Sequence, residues 1–124
     1  MKLYKTREFA RQARQCRLAD ADLREAVQRA EQGLVDAEIG ACLIKQRVAR
    51  KGQGRSRGYR TIIFLKEGDR AVFLHLFEKS RQANLTIKEE EAFRDFAKSL
   101  ARLDSRTFAS LVETQGWERI DDEK

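Results

Sequence analysis

The chain has 124 residues, 41% of them hydrophobic and 37% charged, with a formal net charge of +6 at pH 7. This composition suits one folded domain with a modest core and argues against a disordered chain. No run of about 18 apolar residues predicts a membrane span, and the N-terminus lacks the pattern of a signal peptide. Cys16 and Cys42 have no metal-binding spacing. We therefore expect buried, reduced thiols, no cofactor, a cytoplasmic location and an anionic partner.

The first third of the chain predicts a short strand and two helices. Lys2–Lys5 suits a strand, and Thr6 is placed to cap a helix that buries Phe9, Ala10, Ala13 and Cys16. Asp20 or Asp22 could cap a second helix that ends near Gly33. Its apolar stripe would contain Leu23, Ala26, Val27, Ala30 and Leu34. Two short antiparallel helices are the natural interpretation.

The middle of the chain has strand character. Branched and aromatic residues predict three antiparallel strands, at Ala41–Ala49, Gly58–Lys66 and Arg70–Glu78. Residues 52–54 predict a loop, and Gly68-Asp69 predicts a two-residue hairpin turn. If Glu67 pairs with Arg70 across that turn, each pair of opposing residue numbers adds up to 137.

This register places basic and apolar side chains on opposite faces of the predicted meander. The apolar face would be covered by the helices, all on one side. The other face would display Lys45, Arg47, Arg60, His75 and Lys79, with Phe64, Phe73 and Phe77 among them. Basic groups with interleaved aromatics suit RNA, because phosphates are neutralised and splayed bases can stack. Two alternatives are an ordinary solvated face and a small second core of Phe73 and Phe77 under the C-terminal segment.

The distribution of carboxylates supports an anionic ligand for this region. Residues 39–66 contain eight Lys or Arg and no Asp or Glu, although the chain has 20 acidic residues. Carboxylates in this span would repel the phosphates of a ligand.

The C-terminal third predicts two more helices. Thr86 and Glu89 form a capping box before a helix with Phe93, Phe96, Ala97, Leu100 and Leu103 on one face. Asp104 or Ser105 begins a short helix around Phe108, Leu111 and Val112, which Gly116 ends. Residues 117–120 either add a short strand or pack as a tail, and the last residues are acidic.

The order of these motifs resembles the RelE/HigB-type toxins of bacterial type II toxin–antitoxin systems. The similarity rests on "YKTREFARQAR", "KQRVARKGQGRSRGYR" and "FEKSRQANL", and extends from about residue 3 to residue 103. It implies a compact α+β domain over residues 1–124, with a short N-terminal strand, two helices, a three-stranded antiparallel meander and a C-terminal helix. Residues 104–124 would add a short helix and an acidic tail. It also implies a metal-free, ribosome-dependent mRNA endonuclease that cuts in the A site and inhibits translation.

The resemblance assigns roles to individual residues. Arg60 would stabilise the phosphorane, and Lys45 and Lys79 would act beside it. The residues expected to bind RNA are Arg47, Arg50, Lys51, Arg55, Arg57 and Phe77. Some members have a catalytic tyrosine near the C-terminus, but no Tyr follows Tyr59 here, so the general base stays open. Asn84 would either order the turn before the last helix or contact substrate.

The implied partners are the ribosome with bound mRNA and a cognate antitoxin, of the helix-turn-helix DNA-binding kind. Two alternatives remain at this point. The ParE-type toxins share the fold and inhibit DNA gyrase, and a basic module could bind RNA without cutting it.

Overall fold

A mixed β-sheet covered by helices on both faces organises the chain. The computed structural model describes residues 1–50, 54–66, 68–78 and 85–120, with only the backbone given for residues 49–50 and 54–57. Within these residues the strands are β1 (Lys2–Lys5), β2 (Ala37–Gly40), β3 (Leu43–Arg50), β4 (Gly54–Lys66), β5 (Arg70–Glu78) and β6 (Glu118–Ile120). The helices are α1 (Arg7–Gln15), α2 (Asp20–Glu31), α3 (Ile87–Ala101) and α4 (Ser105–Gln115). The predicted α+β class is confirmed. None of the described helices is long and apolar enough to span a membrane.

The predicted meander forms the middle of a larger sheet. The strand order is β2-β3-β4-β5-β1-β6. β1 lies parallel to β5 and antiparallel to β6, and the other neighbouring strands pair antiparallel. Of the two possibilities for residues 117–120, the short strand is therefore the correct one.

Helices α1 and α2 cover one face of the sheet. Thr6 caps α1 as predicted, since its Oγ1 accepts a hydrogen bond from the Phe9 amide at 3.1 Å. Phe9 then packs against Phe73 with ring centroids 5.1 Å apart. The buried residues of this first core include Leu23, Ala26, Val27, Ile44, Val48, Tyr59, Ile63 and Leu76.

Two details of α2 differ from the prediction. Ala19, rather than an aspartate, is the N-cap residue, and the Asp22 carboxylate accepts a hydrogen bond from the Ala19 amide at 3.1 Å. Leu34 was predicted on the buried stripe but is 58% exposed. The helix ends at Glu31, and Gly33 turns the chain away with φ of 87°, so the helical periodicity does not extend to Leu34.

The hairpin of β2 and β3 was missed, and β3 begins two residues later than predicted. Ala41 and Cys42 have φ angles of 55° and 65°, in the left-handed region that two-residue hairpin turns require. Asn and Gly are the usual residues there, so the sequence contained no turn signal. As a result Cys42 is exposed rather than buried, and Cys16 is half-buried.

The predicted register of β4 and β5 is right at one end and wrong at the other. Arg60 opposes Phe77 and Ile62 opposes His75, as predicted. Nearer the turn Lys66, rather than Glu67, opposes Arg70, and Ile63 opposes Phe73. The register shifts by one residue between Ile62 and Ile63, because a β-bulge adds one residue to β5.

Helices α3 and α4 cover the other face, so the expectation that all helices lie on one side is wrong. The capping box of α3 is present: the Glu89 amide donates to Thr86 Oγ1 at 3.1 Å, and the Thr86 amide donates to Glu89 Oε1 at 2.8 Å. The second core contains Tyr4, Leu43, Ile62, Phe64, Val72, Leu74, Phe77, Ala97, Leu100 and Phe108. The alternative of a second core under the C-terminal segment is correct for Phe77 and wrong for Phe73, which lies in the first core.

Arg70 joins α3 and α4 to the sheet. Its side chain is buried, and its Nη2 donates to the carbonyl oxygens of Leu100 at 3.1 Å and Leu103 at 2.7 Å. Its Nη1 pairs with Asp69 at 3.1 Å, and its guanidinium lies 4.2 Å from the Phe108 ring centroid. One buried cation thus satisfies carbonyls at the end of α3 and packs under α4.

Replacing Arg70 with Met is expected to destabilise the fold by about 3 kcal/mol, because two carbonyls lose a charged donor inside the structure. Urea unfolding measures this change. Lys66→Met is the matched control, since Lys66 contacts the same Asp69 at 3.8 Å but is 41% exposed. That variant should lose less than about 1 kcal/mol. Equal losses would contradict the role of Arg70.

The N-cap of α4 predicts a pH effect. Asp104 accepts a hydrogen bond from the Thr107 amide at 2.8 Å, and this bond, followed by one from the Thr107 side chain, lowers the pKa of Asp104 below its ordinary value of 3.8. The ionised cap therefore stabilises the protein above that value, and its contribution is lost as the pH falls through the lowered pKa. Asp104→Asn should melt below wild type at pH 7, with the difference shrinking toward about pH 2. A difference that stays constant over this range would contradict the assignment.

Candidate active site

Three of the predicted basic residues lie on one end of the sheet face that α3 and α4 cover. Lys45 opposes Ile62, and Arg47 opposes Arg60. Ile62 in turn opposes His75, and Arg60 opposes Phe77, so two adjacent rows cross β3, β4 and β5. The second core fills the rows nearer to Arg70, while this end of the same face contains the cations. We call Lys45, Arg47 and Arg60 the cationic cluster.

Arg60 occupies an unusual environment within this cluster. Its side chain is only 8% exposed. Among the described residues, no carboxylate pairs with its guanidinium, and its nitrogens are not sealed from solvent. Arg47, its cross-strand neighbour, is exposed. Like charges directly opposite each other in a sheet disfavour folding, so the pair is better suited to an anionic ligand than to stability.

The backbone of Arg47 is held by two residues that the sequence did not single out. The Arg47 amide donates to Asp36 Oδ2 at 2.7 Å, and Arg29 donates a hydrogen bond to the Arg47 carbonyl. Arg29 also pairs with Glu25 at 2.9 Å and with Asp36 at 3.7 Å. The Glu25–Arg29 spacing of four residues was the available signal. These contacts fix β3 where it extends beyond β2.

Gln46 anchors the same strand from the opposite face. Its side chain is fully buried, and its Nε2 donates to the carbonyls of Ala26 at 2.9 Å and Leu34 at 3.0 Å. Its Oε1 accepts from the Asp36 amide at 3.0 Å, and Thr61 Oγ1 donates to the Gln46 carbonyl at 2.8 Å. Because buried Gln46 makes all of these hydrogen bonds, it holds β3 in place. Lys45 and Arg47, on either side of Gln46, therefore project from a rigid strand.

His75 lies next to the cationic cluster and packs between two aromatic rings. Its ring centroid is 5.6 Å from those of Phe77 and Phe93. Its Nε2 is buried without a hydrogen-bond partner among the described residues. The packing against two rings indicates a structural role for His75 more than a catalytic one.

The expected open aromatic platform is absent. Phe64 and Phe77 are buried in the second core, at 0% and 7% exposure, and Phe73 lies in the first core on the opposite face. The prediction that these rings are open for base stacking is wrong, because α3 and α4 cover Phe64 and Phe77, and the register shift turns Phe73 toward α1. Phe77 still borders the cluster, since it opposes Arg60.

Several predicted site residues cannot be placed with their side chains. Lys51, Lys79 and Asn84 lie outside the described residues. Arg50 lies in β3, and Arg55 and Arg57 lie in β4, each with its backbone alone described. In the described part of the chain, no group of three or more His, Cys, Asp or Glu side chains is arranged to hold a metal ion.

Because no described carboxylate pairs with Arg60, we expect an unusual stability change on its replacement. Arg60→Met removes a poorly compensated charge and the repulsion with Arg47, so it should raise the free energy of unfolding by roughly 1 kcal/mol. The same substitution at Arg70 is the matched comparison and is expected to have the opposite sign. A loss above about 1 kcal/mol for Arg60→Met would show that Arg60 has a structural role.

The match to a family model agrees with this arrangement. The model described as "RelE toxin of RelE / RelB toxin-antitoxin system" matches residues 1–120. No curated protein shows significant similarity to the chain. The matched region contains all the described strands and helices, together with the cationic cluster. The chain belongs to the RelE family of toxins from toxin–antitoxin systems, and this membership implies an antitoxin partner.

Proposed function

We propose that the protein is a ribosome-dependent mRNA endonuclease whose active site is the cationic cluster. One observation supports this most strongly: Arg60 is nearly buried, has no carboxylate partner among the described residues, and lies opposite a second arginine. A phosphodiester would supply the missing negative charge. An arginine fork is well suited to bind two phosphate oxygens at once.

The proposed reaction is a transesterification within the RNA strand. The ribose 2′-oxygen attacks the adjacent phosphorus, and its proton passes to a base. The bond from phosphorus to the 5′-oxygen of the next nucleotide breaks, and that oxygen takes up a proton. The products are a 2′,3′-cyclic phosphate and a 5′-hydroxyl, and the added negative charge on the phosphorane is what the enzyme has to stabilise.

The roles within the cluster follow from exposure and position. Arg60, held by the sheet, would contact the phosphorane oxygens. Arg47 is exposed and would bind a neighbouring backbone phosphate. Lys45 is half-buried one row away, and would transfer a proton or stabilise charge. Lys79 is proposed to join them from the segment that follows β5.

The proposal extends to partners and location. The toxin would act in the cytoplasm, in the A site of a ribosome bound to mRNA, with Arg50, Lys51, Arg55 and Arg57 contacting RNA. A helix-turn-helix antitoxin would neutralise it by covering the cationic cluster or by preventing entry into the ribosome. Such an antitoxin would also let the pair repress its own operon.

Primer extension on a translated message tests the proposal after a short pulse of expression. We expect wild type to produce cuts within the reading frame that disappear when translation is blocked. Arg60→Ala should reduce cutting by 10² to 10³, roughly the effect of removing one group that stabilises the transition state. Arg106→Ala is the control, because Arg106 is an exposed arginine on α4 outside the cluster.

Three results would contradict the proposal. Intact messages in cells whose growth has stopped would favour gyrase inhibition instead. Equal cutting by wild type and Arg60→Ala would remove the cluster from the active site. RNA binding without cutting or toxicity would indicate a non-catalytic module.

A further inference from the structure

A groove of about 910 Å³ lies between α1 and the pair α3 and α4. One wall is α1, with Arg7, Arg11 and Arg14 spaced four and three residues apart along one side of the helix. The opposite wall contains Phe93, Phe96 and Trp117, and Leu74 of β5 forms part of the floor. The proposed catalytic and RNA-binding residues do not include any residue of this groove.

The basic wall has cations available for an anion. Arg14 pairs with Glu118 at 3.2 Å, and Glu8 also lines the groove. Arg7 and Arg11 are exposed and have no ion pair with the described residues. The stem of Arg7 lies close over Gly116, where an added Cβ would be 3.1 Å from its Cδ. The stem of Arg7 thus runs next to the C-terminal end of α4.

The aromatic wall has rings open to solvent. Phe96 is 39% exposed, and Trp117 is half-buried with its ring centroid 6.2 Å from that of Phe96 at 70°. These are the exposed aromatic surfaces that the sheet itself does not provide. Arginines on one side and accessible rings on the other are the two elements of a single-strand nucleic-acid site.

A continuous series of ring contacts connects this groove to the cationic cluster. Phe77 opposes Arg60 across the sheet, His75 stacks on Phe77, and Phe93 packs on His75. Phe93 then lines the groove. The groove is therefore linked to Arg60 through Phe77, His75 and Phe93, and a strand bound at Arg60 could continue into it.

From this geometry we infer that the groove binds nucleotides of the same RNA strand that flank the cleaved bond. Arg7 and Arg11 contact the backbone phosphates, and bases stack on Phe96 and Trp117. This inference rests on the proposed endonuclease function and adds a flanking subsite to it. Continuity with the cationic cluster favours RNA over the other fitting occupant, an acidic segment of a protein partner.

Cleavage on programmed ribosomes tests the subsite, with messages shortened one nucleotide at a time on either side of the A-site codon. The test variant is Arg11→Gln with Phe96→Ala. The matched control is Arg106→Gln with Ile87→Ala, which removes an exposed arginine from α4 and an exposed apolar side chain from α3 outside the groove. Thermal unfolding verifies folding, and Arg11→Gln alone serves if the double variant does not fold.

For wild type and control, we expect cleavage to slow about tenfold once the nucleotides that fill the groove are removed. The groove variant should cut even the full message at that slower rate and should not respond to shortening. The same response to shortening in wild type and the groove variant would overturn the inference and leave the endonuclease proposal standing. So would a groove variant that cuts normally but escapes its antitoxin, because the occupant would then be a protein. If wild type cut no message at all, the proposed function itself would fail.

Discussion

A single electrostatic constraint dominates the sheet: Arg47 and Arg60 oppose each other on neighbouring strands, and no described carboxylate pairs with Arg60. Two like charges in this position disfavour folding. The chain contains 20 acidic residues, and none lies between residues 39 and 66. A ligand with closely spaced negative charges resolves the repulsion, and an RNA backbone is such a ligand. A loss of stability through the repulsion between Arg47 and Arg60 is expected if these residues were selected for binding a ligand and not for folding.

Other contacts in the fold hold the sheet together despite the repulsion between Arg47 and Arg60. Gln46 holds β3 through side-chain hydrogen bonds on the face opposite to the cationic cluster. Arg29 and Asp36 hold the backbone of the same strand at Arg47. On the cationic face, Arg70 fastens α3 and α4 to the far end of the sheet, so apolar residues fill that end and leave the cations at the other. Two arginines on one sheet thus have opposite roles. Arg70 donates to two carbonyls and pairs with Asp69, whereas no described carboxylate pairs with Arg60.

Much of the fold could be predicted from periodicity and capping, because Thr6, Thr86 and Asp104 cap helices through local hydrogen bonds. The β2–β3 turn could not, since Ala41 and Cys42 adopt positive φ without the usual turn residues. The bulge in β5 was also missed, because no glycine or other typical bulge residue marks its position between Phe73 and His75. The pairing of Arg47 with Arg60 depends only on the hairpin of β3 and β4, which are neighbours in the sequence. The burial of Phe64 and Phe77 is harder to predict, because it depends on α3 and α4, which lie far along the chain.

The most direct measurement is the chemical nature of the new RNA ends made by the wild-type protein on programmed ribosomes. Mass spectrometry of the upstream fragment distinguishes a 2′,3′-cyclic phosphate from a 3′-hydroxyl. We expect the cyclic phosphate, with a 5′-hydroxyl on the downstream fragment, because the proposed role of the cationic cluster is to stabilise attack by the neighbouring 2′-oxygen. A 3′-hydroxyl with a 5′-phosphate would mean that water attacked the phosphorus in a different reaction. That result would contradict the central claim.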